Sequence, residues 1–161
     1  MSNEPDINQI CQYFDDKLKT HGATPRGADW NSDTSQETRF AQLCKVIEER
    51  QHVSILDYGC GYGALYDYMV KQGFQIDLYV GFDILESMVV EGRRQHAGLD
   101  NVIFTSDKNN IPRVDYAIAS GVFNIKLESP YADWMQYAMD NLTWLNQHVG
   151  KGFSSNFLTS Y

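Results

Sequence analysis

The chain has 161 residues, of which 43% are hydrophobic, 21% charged and 13% aromatic, a balance that fits one globular domain and excludes a disordered polypeptide. Its formal charge of −8 gives no overall attraction to nucleic acid or to an anionic membrane. Three scattered cysteines form neither a disulfide framework nor a zinc spacing, no signal peptide or bilayer-long apolar run is visible, and a cytoplasmic protein is expected.

Apolar residues at helical spacing (Ile7, Ile10, Cys11, Phe14, Leu18) predict a first helix over 7–19. His21-Gly22 ends it, and 23–30 (ATPRGADW) reads as a loop. A second helix starts near Ser32 or Asp33 and carries Phe40, Leu43, Cys44 and Ile47 on one face. The pattern then changes to short β-branched runs alternating with helices. Strands are expected at 53–57, 77–82, 101–105, 114–119 and 153–158, and helices at 64–71, 84–95 and 130–147. Ser129 is expected to cap the last helix with Pro130 in its first turn, and Gly150 and Gly152 to bracket the turn into the fifth strand. The alternation predicts βαβ units, a doubly wound, mostly parallel α/β sheet, and a ligand at the carboxyl ends of its strands.

Asp57-Tyr-Gly59-Cys-Gly61-Tyr-Gly63 lies between the first strand and a helix. Glycines let a turn tighten and let backbone approach a ligand without interference from Cβ. Twenty residues beyond Gly63, Asp83 ends the next strand, where a carboxylate can accept hydrogen bonds from two ribose hydroxyls. The spacing is G-x-G-x-G and not the G-x-G-x-x-G of dinucleotide sites. A carboxylate at Asp57 is unfavourable beside a pyrophosphate and suits a ligand carrying an ammonium or hydroxyls.

Residues 53–63 (VSILDYGCGYG) resemble motif I of the class I, Rossmann-like methyltransferases that use S-adenosylmethionine. Asp83, in VGFDILESM, is similar to the acidic end of their second strand. Asp107, in FTSDKNNIP, falls where the family often has an acid near the adenine, and 114–124 (VDYAIASGVFN) resemble motif IV and the loop after it. The resemblance covers roughly 35–161. It implies S-adenosylmethionine as cofactor, with Gly59, Cys60, Gly61 and Gly63 under its methionine part and Asp57 nearby. It further implies Asp83 on the ribose, Ile84 against the adenine face, Asp107 and Lys108 at the adenine edge, and Ser120 and Gly121 close to the methyl group. Phe123 and Asn124 would face the acceptor. Residues 1–31 would form an N-terminal helix and a lid-like loop, and 32–161 the cofactor-binding domain. Trp30 and Arg26 read either as packing anchor and surface charge or as a lid in which Arg26 pairs with the methionine carboxylate.

Motif IV lacks the Asn/Asp-Pro-Pro-Tyr/Phe run of family members that methylate base amines, so a small-molecule acceptor is expected. None of the four histidines occupies an obvious catalytic position, and the sequence identifies no general base. A cofactor-binding module with little catalysis is the alternative reading, and an NAD-linked oxidoreductase is disfavoured by the glycine spacing. The family's sheet ends in two further strands, so the fold is expected to lack them at Tyr161; truncation of the sequence is the favoured expectation, and self-association or edge pairing through the C-terminal strand the alternative.

Overall fold

The structure, a computed structural model, describes residues 5–158. Helix α1 (Ile7–His21) opens with the Asp6 carboxylate accepting from Asn8 N at 3.1 Å, and α2 (Asp33–Leu43) with Ser32 Oγ accepting from Ser35 N at 3.2 Å. Both caps satisfy amides that the first turn leaves without partners. The loop between them contains a short 3-10 turn, Pro25–Ala28, capped by Thr24. There follow β1 (Val53–Tyr58), α3 (Ala64–Lys71), β2 (Ile76–Phe82), α4 (Glu86–Gln95), β3 (Val102–Thr105), β4 (Val114–Ala119), α5 (Tyr131–His148) and β5 (Val149–Ser155). The strands form one parallel sheet in the order β3-β2-β1-β4-β5. The order reverses between β1 and β4, which opens a crevice at their carboxyl ends.

Two apolar layers hold the sheet. On one face Phe40 and Leu43 of α2, Leu65 and Met69 of α3 and Val89 of α4 pack on Ile55, Tyr79, Phe104 and Ile118. On the other, Ala138 and Leu145 of α5 pack on Leu56, Val80, Ala117 and Ala119. Successive strand residues thus serve opposite layers, as the pleat requires. A third cluster sets Cys11, Phe14 and Leu18 of α1 against Tyr62, Leu85 and Met88, so α1 roofs the carboxyl ends of β1 and β2. No helix among the described residues is long and apolar enough to cross a membrane.

Three expectations need correction. The fifth strand begins at Val149 and contains both Gly150 and Gly152, because pairing of Val114 with Val149 and Tyr116 with Gly152 outweighs the turn tendency of glycine. Helix α4 starts at Glu86 and not Ile84, since Asp83 Oδ1 accepts from Leu85 N at 3.0 Å and holds those residues in a turn. The residue at the cap of α5 is Pro130, and Ser129, which is buried, makes no capping bond there.

Candidate functional site

Strand β1 carries Asp57 into the interior, where it is 3% exposed and accepts the Tyr79 hydroxyl at 2.5 Å. Burial pushes its carboxyl up to about 7; the Tyr79 hydrogen bond pulls the other way and the neighbouring Asp83 charge adds to the rise. Desolvation disfavours the ionised form of a carboxyl, so this group titrates near neutrality. Beyond it the chain turns through Gly59, Gly61 and Gly63, all at positive φ (80°, 54° and 95°).

The three glycines serve different ends. A Cβ at Gly59 would stand 2.4 Å from Val122 Cγ2, and one at Gly63 would stand 2.6 Å from Phe104 Cζ and 2.9 Å from His96 Cε1. Those two are required by packing. At Gly61 a Cβ would meet nothing closer than 4.0 Å, where Ala28 Cβ and Met88 Sδ lie. Its bareness therefore leaves open space and not a protein contact. Gly61 N donates to Asp83 Oδ2 at 2.8 Å, which ties the turn to the end of β2. Burial raises the Asp83 carboxyl, and the Leu85 and Gly61 amides oppose that rise.

A cavity of about 400 Å³ runs from this end of the sheet to the loop after β4, a volume within the range of small-molecule sites. At its far end Trp30 approaches Gly121, with 3.3 Å to the position a Cβ would take. Gly121 N donates to Asn156 Oδ1 at 2.8 Å, and Leu158 N to Asn124 Oδ1 at 3.0 Å. Trp134 donates to Phe123 O at 3.2 Å and stacks on Tyr137 with ring centroids 5.3 Å apart. Arg39 lines the same cavity, its guanidinium 5.0 Å from the Trp30 ring.

No family model matches the chain. Over 117 residues, 73% of this chain and 70% of the relative, it is 38% identical to the "Putative methyltransferase Rv1506c" of Mycobacterium tuberculosis. The chain belongs to the class I S-adenosylmethionine-dependent methyltransferases. It is also 24% identical over 121 residues to the cyclopropane-fatty-acyl-phospholipid synthase of Escherichia coli, of which it spans 28%. The fold is similar to that of the N-methyltransferase NodS from Bradyrhizobium japonicum, solved with S-adenosyl-L-homocysteine, at a TM-score of 0.62 and 18% identity over 91% of this chain and 70% of that one. A DhpI-SAM-HEP complex matches with a TM-score of 0.59 at 15% identity, over 94% of this chain and 64% of that one.

In this methyltransferase the cavity gathers Trp30, Asp57, Gly59, Cys60, Gly61, Asp83, Ile84, Ser120, Gly121 and Asn124. Five residues expected at the site lie outside its lining. Gly63 starts α3 and is packed by Phe104 and His96. Asp107 caps its own short turn by accepting from Asn109 N at 2.9 Å. Lys108 lines an adjoining hollow beside α5, which shares Tyr58, Phe82, Ile84 and Tyr137 with the cavity. There its ammonium sits 5.1 Å from the Tyr58 ring and 5.0 Å from the Trp144 ring, and donates to Asn141 Oδ1 at 2.9 Å. Partial burial lowers its pKa. Phe123 is 4% exposed and stacks on Phe157 within the layer under α5. Arg26 is exposed in the 3-10 turn, so the cation at the cavity wall is Arg39 instead.

Arg39 carried a readable signal: α2 buries Gln36, Phe40 and Leu43, and a cation at position 39 falls within that inward stripe. Trp134 and Tyr137 read only as the inner face of a helix. Their place at the cavity depends on how α5 crosses the sheet, which no local pattern encodes.

Proposed function

We propose that this chain transfers the methyl group of S-adenosylmethionine to a small-molecule acceptor. The observation that carries the reading is the open backbone of Gly61, set between the buried carboxylate of Asp57 and the partly buried one of Asp83 and facing a cavity rather than protein. Asp83 already accepts two amides, yet a carboxylate offers about four acceptor positions, so two ribose hydroxyls fit as well. Ile84, 40% exposed, covers the adenine face, and the Gly59–Gly61 backbone passes beneath the methionine part. Asp57 attracts the ammonium, and Arg39 pairs with the carboxylate in place of Arg26. Two carboxylates around one turn disfavour a pyrophosphate, and with it the dinucleotide reading.

The bound cofactor supplies a methyl group on a sulfonium with its leaving group built in. What remains for the protein is alignment of the acceptor and exclusion of water. Ser120 and Gly121, at the end of β4, serve the methyl end, and the α1 roof closes the site from above. The complexes of NodS with S-adenosyl-L-homocysteine and of DhpI with SAM support the same use of this fold.

Calorimetric titration with S-adenosylmethionine, S-adenosylhomocysteine and NAD tests the reading. The first two bind and NAD does not; binding of NAD alone would overturn it. Radiolabelled methyl transfer to a small-molecule extract then distinguishes turnover from binding without catalysis.

A further inference from the structure

Three carboxylates line the cavity, and each is held differently. Asp83 accepts the Gly61 and Leu85 amides, and Asp29 is ion-paired with Lys17 at 3.0 Å. Asp57 has neither an amide nor a cation among the described residues; its hydrogen bond is the one that Oδ2 accepts from the Tyr79 hydroxyl at 2.5 Å. Its other oxygen, Oδ1, makes no hydrogen bond among the described residues and is not sealed from the cavity. In the ladder between β1 and β2, Asp57 stands opposite Gly81 and Tyr79 opposite Ile55. No side chain therefore faces Asp57 directly, and the Tyr79 phenol reaches it by leaning along its strand. The Tyr79 ring is fully buried, with its centroid 5.3 Å from that of Tyr66 and 5.8 Å from that of Phe104, which fixes the direction of the hydroxyl. Burial pushes the phenol well above its ordinary value, so it stays a donor throughout the neutral range.

A hydrogen bond to the ionised form of a carboxyl favours that form, and bonds to a charged acceptor are the stronger ones. We infer that Tyr79 is a positioning residue for the cofactor's ammonium: its hydroxyl holds Oδ2 of Asp57, leaves Oδ1 to the ligand and keeps the carboxylate charged in neutral solution. This rests on the methyl-transfer reading above, in which Asp57 attracts the ammonium. The Tyr79 bond is what opposes the burial that raises Asp57; without it the carboxyl keeps its proton to a higher pH. The other ionisable groups facing Asp57 are Asp83 at the end of β2, Cys60 in the glycine turn and Cys44 at the end of α2, and Arg39 of α2 is a cation on the same wall. Asp83 raises Asp57 whether or not the hydroxyl is present. Burial pushes the Cys44 thiol up to about 12 and the Cys60 thiol well above its ordinary value, so neither thiol ionises in the range tested.

The experiment is Tyr79→Phe, which deletes the hydroxyl and keeps the ring. S-adenosylhomocysteine is titrated by calorimetry into both chains at pH 6, 7, 8 and 9, and the ratio of their affinities at each pH cancels the ligand's own ionisation. Loss of one hydrogen bond to a charged group moves the Asp57 titration up by about one pH unit. The variant therefore binds about tenfold more weakly at pH 6, about fivefold more weakly at pH 7 and within about twofold of the parent at pH 9. In an Asp57→Asn background, Tyr79→Phe adds no pH-dependent deficit. A deficit that stays constant across pH is that of a structural residue and overturns the inference. So does the absence of a deficit, or a pH-dependent one that survives in Asp57→Asn. Should Tyr79→Phe not fold, Tyr79→Met, which also lacks the hydroxyl, meets the same expectation. A parent chain whose affinity responds to pH, with a variant that does not shift, loses only this inference. A parent that binds without any response to pH loses the Asp57 assignment and this inference with it. One that does not bind S-adenosylhomocysteine loses the methyl-transfer reading as well.

Discussion

Asp57→Asn removes a charge that the fold holds at a cost. Burial is the largest influence on this carboxyl and brings it from an ordinary 3.8 to about 7. Between those values the folded chain retains a proton that the unfolded chain has released, so stability falls as pH rises through that window. At about 1.4 kcal/mol per pH unit, the ionised carboxylate costs the fold about 4 kcal/mol at pH 8 and almost nothing at pH 4. Asparagine keeps an oxygen to accept the Tyr79 hydroxyl and never ionises. Urea denaturation of both proteins at pH 4 and pH 8 should give matching stabilities at the lower pH and a variant more stable by a few kcal/mol at the higher. Taking the difference between the two proteins removes the other carboxyls from the comparison. On the proposed reading the same charge attracts the cofactor's ammonium, so S-adenosylhomocysteine affinity of the parent chain should drop about tenfold from pH 8 to pH 6, where about a tenth of Asp57 is ionised. In Asp57→Asn that dependence disappears. A stability difference that does not change with pH would refute the argument.

Asp83→Ala should weaken S-adenosylhomocysteine binding by about 1.5–3 kcal/mol, the scale of hydrogen bonds to a charged group; unchanged affinity in calorimetry would remove the ribose assignment. Gly59→Ala sets a methyl 2.4 Å from Val122 and should lower stability by about 1–3 kcal/mol through overpacking, beyond the backbone strain of its positive φ. Gly61→Ala, with open space around it, should cost only the strain of about 1–2 kcal/mol yet lose cofactor affinity, and thermal melts beside titrations separate the two effects. Arg39→Ala should weaken S-adenosylhomocysteine binding while Arg26→Ala leaves it unchanged; the opposite pattern would return the carboxylate to the loop. Ending the chain after Ser155 removes the two hydrogen bonds from 156–158 to the loop after β4, each worth about 1 kcal/mol. Urea denaturation should show a loss of about 2 kcal/mol, while S-adenosylhomocysteine affinity holds within about threefold.

Elements whose signal is local were legible in the sequence. The run 114–119 is a buried strand at nearly every position, and 64–71 is a helix with its boundaries as expected, because one unbroken pattern fills each. The turn from Asp57 to Gly61 and the acid at Asp83 were legible for the same reason: a strand, a glycine spacing and a second strand end specify them together. What no local pattern shows depends on partners distant in the chain. Gly152 reads as a turn residue until Tyr116 is set beside it. Lys108 stands beside Asp107 in sequence, and its contacts with Tyr58, Trp144 and Asn141, from two other elements, become visible only in the fold. Arg26 and Arg39 stand on either side of Trp30 in sequence, and only the packing of α2 on the sheet decides which one reaches the cavity.

The topology gives the two ends of the cavity unequal freedom to vary. The end at β1 and β2, where the cofactor is proposed to bind, is constrained at each position: Asp57 is tied to Tyr79, Asp83 to the Gly61 and Leu85 amides, and Gly59 and Gly63 to the side chains that fill their missing Cβ positions. A change at any of these disturbs the core as well as the site, which is why the motif is readable without a structure. The β4 end is assembled from the loop after β4, the inner face of α5, the residues after β5 and Trp30, joined by two backbone-to-asparagine hydrogen bonds and by ring contacts. Trp30, Asn124 and Leu158 lie outside the buried core, so their replacement costs less stability than a change in the core. On the proposed reading, the cofactor is thus held by the part of the fold that packing protects, and acceptor choice falls to the part it leaves free.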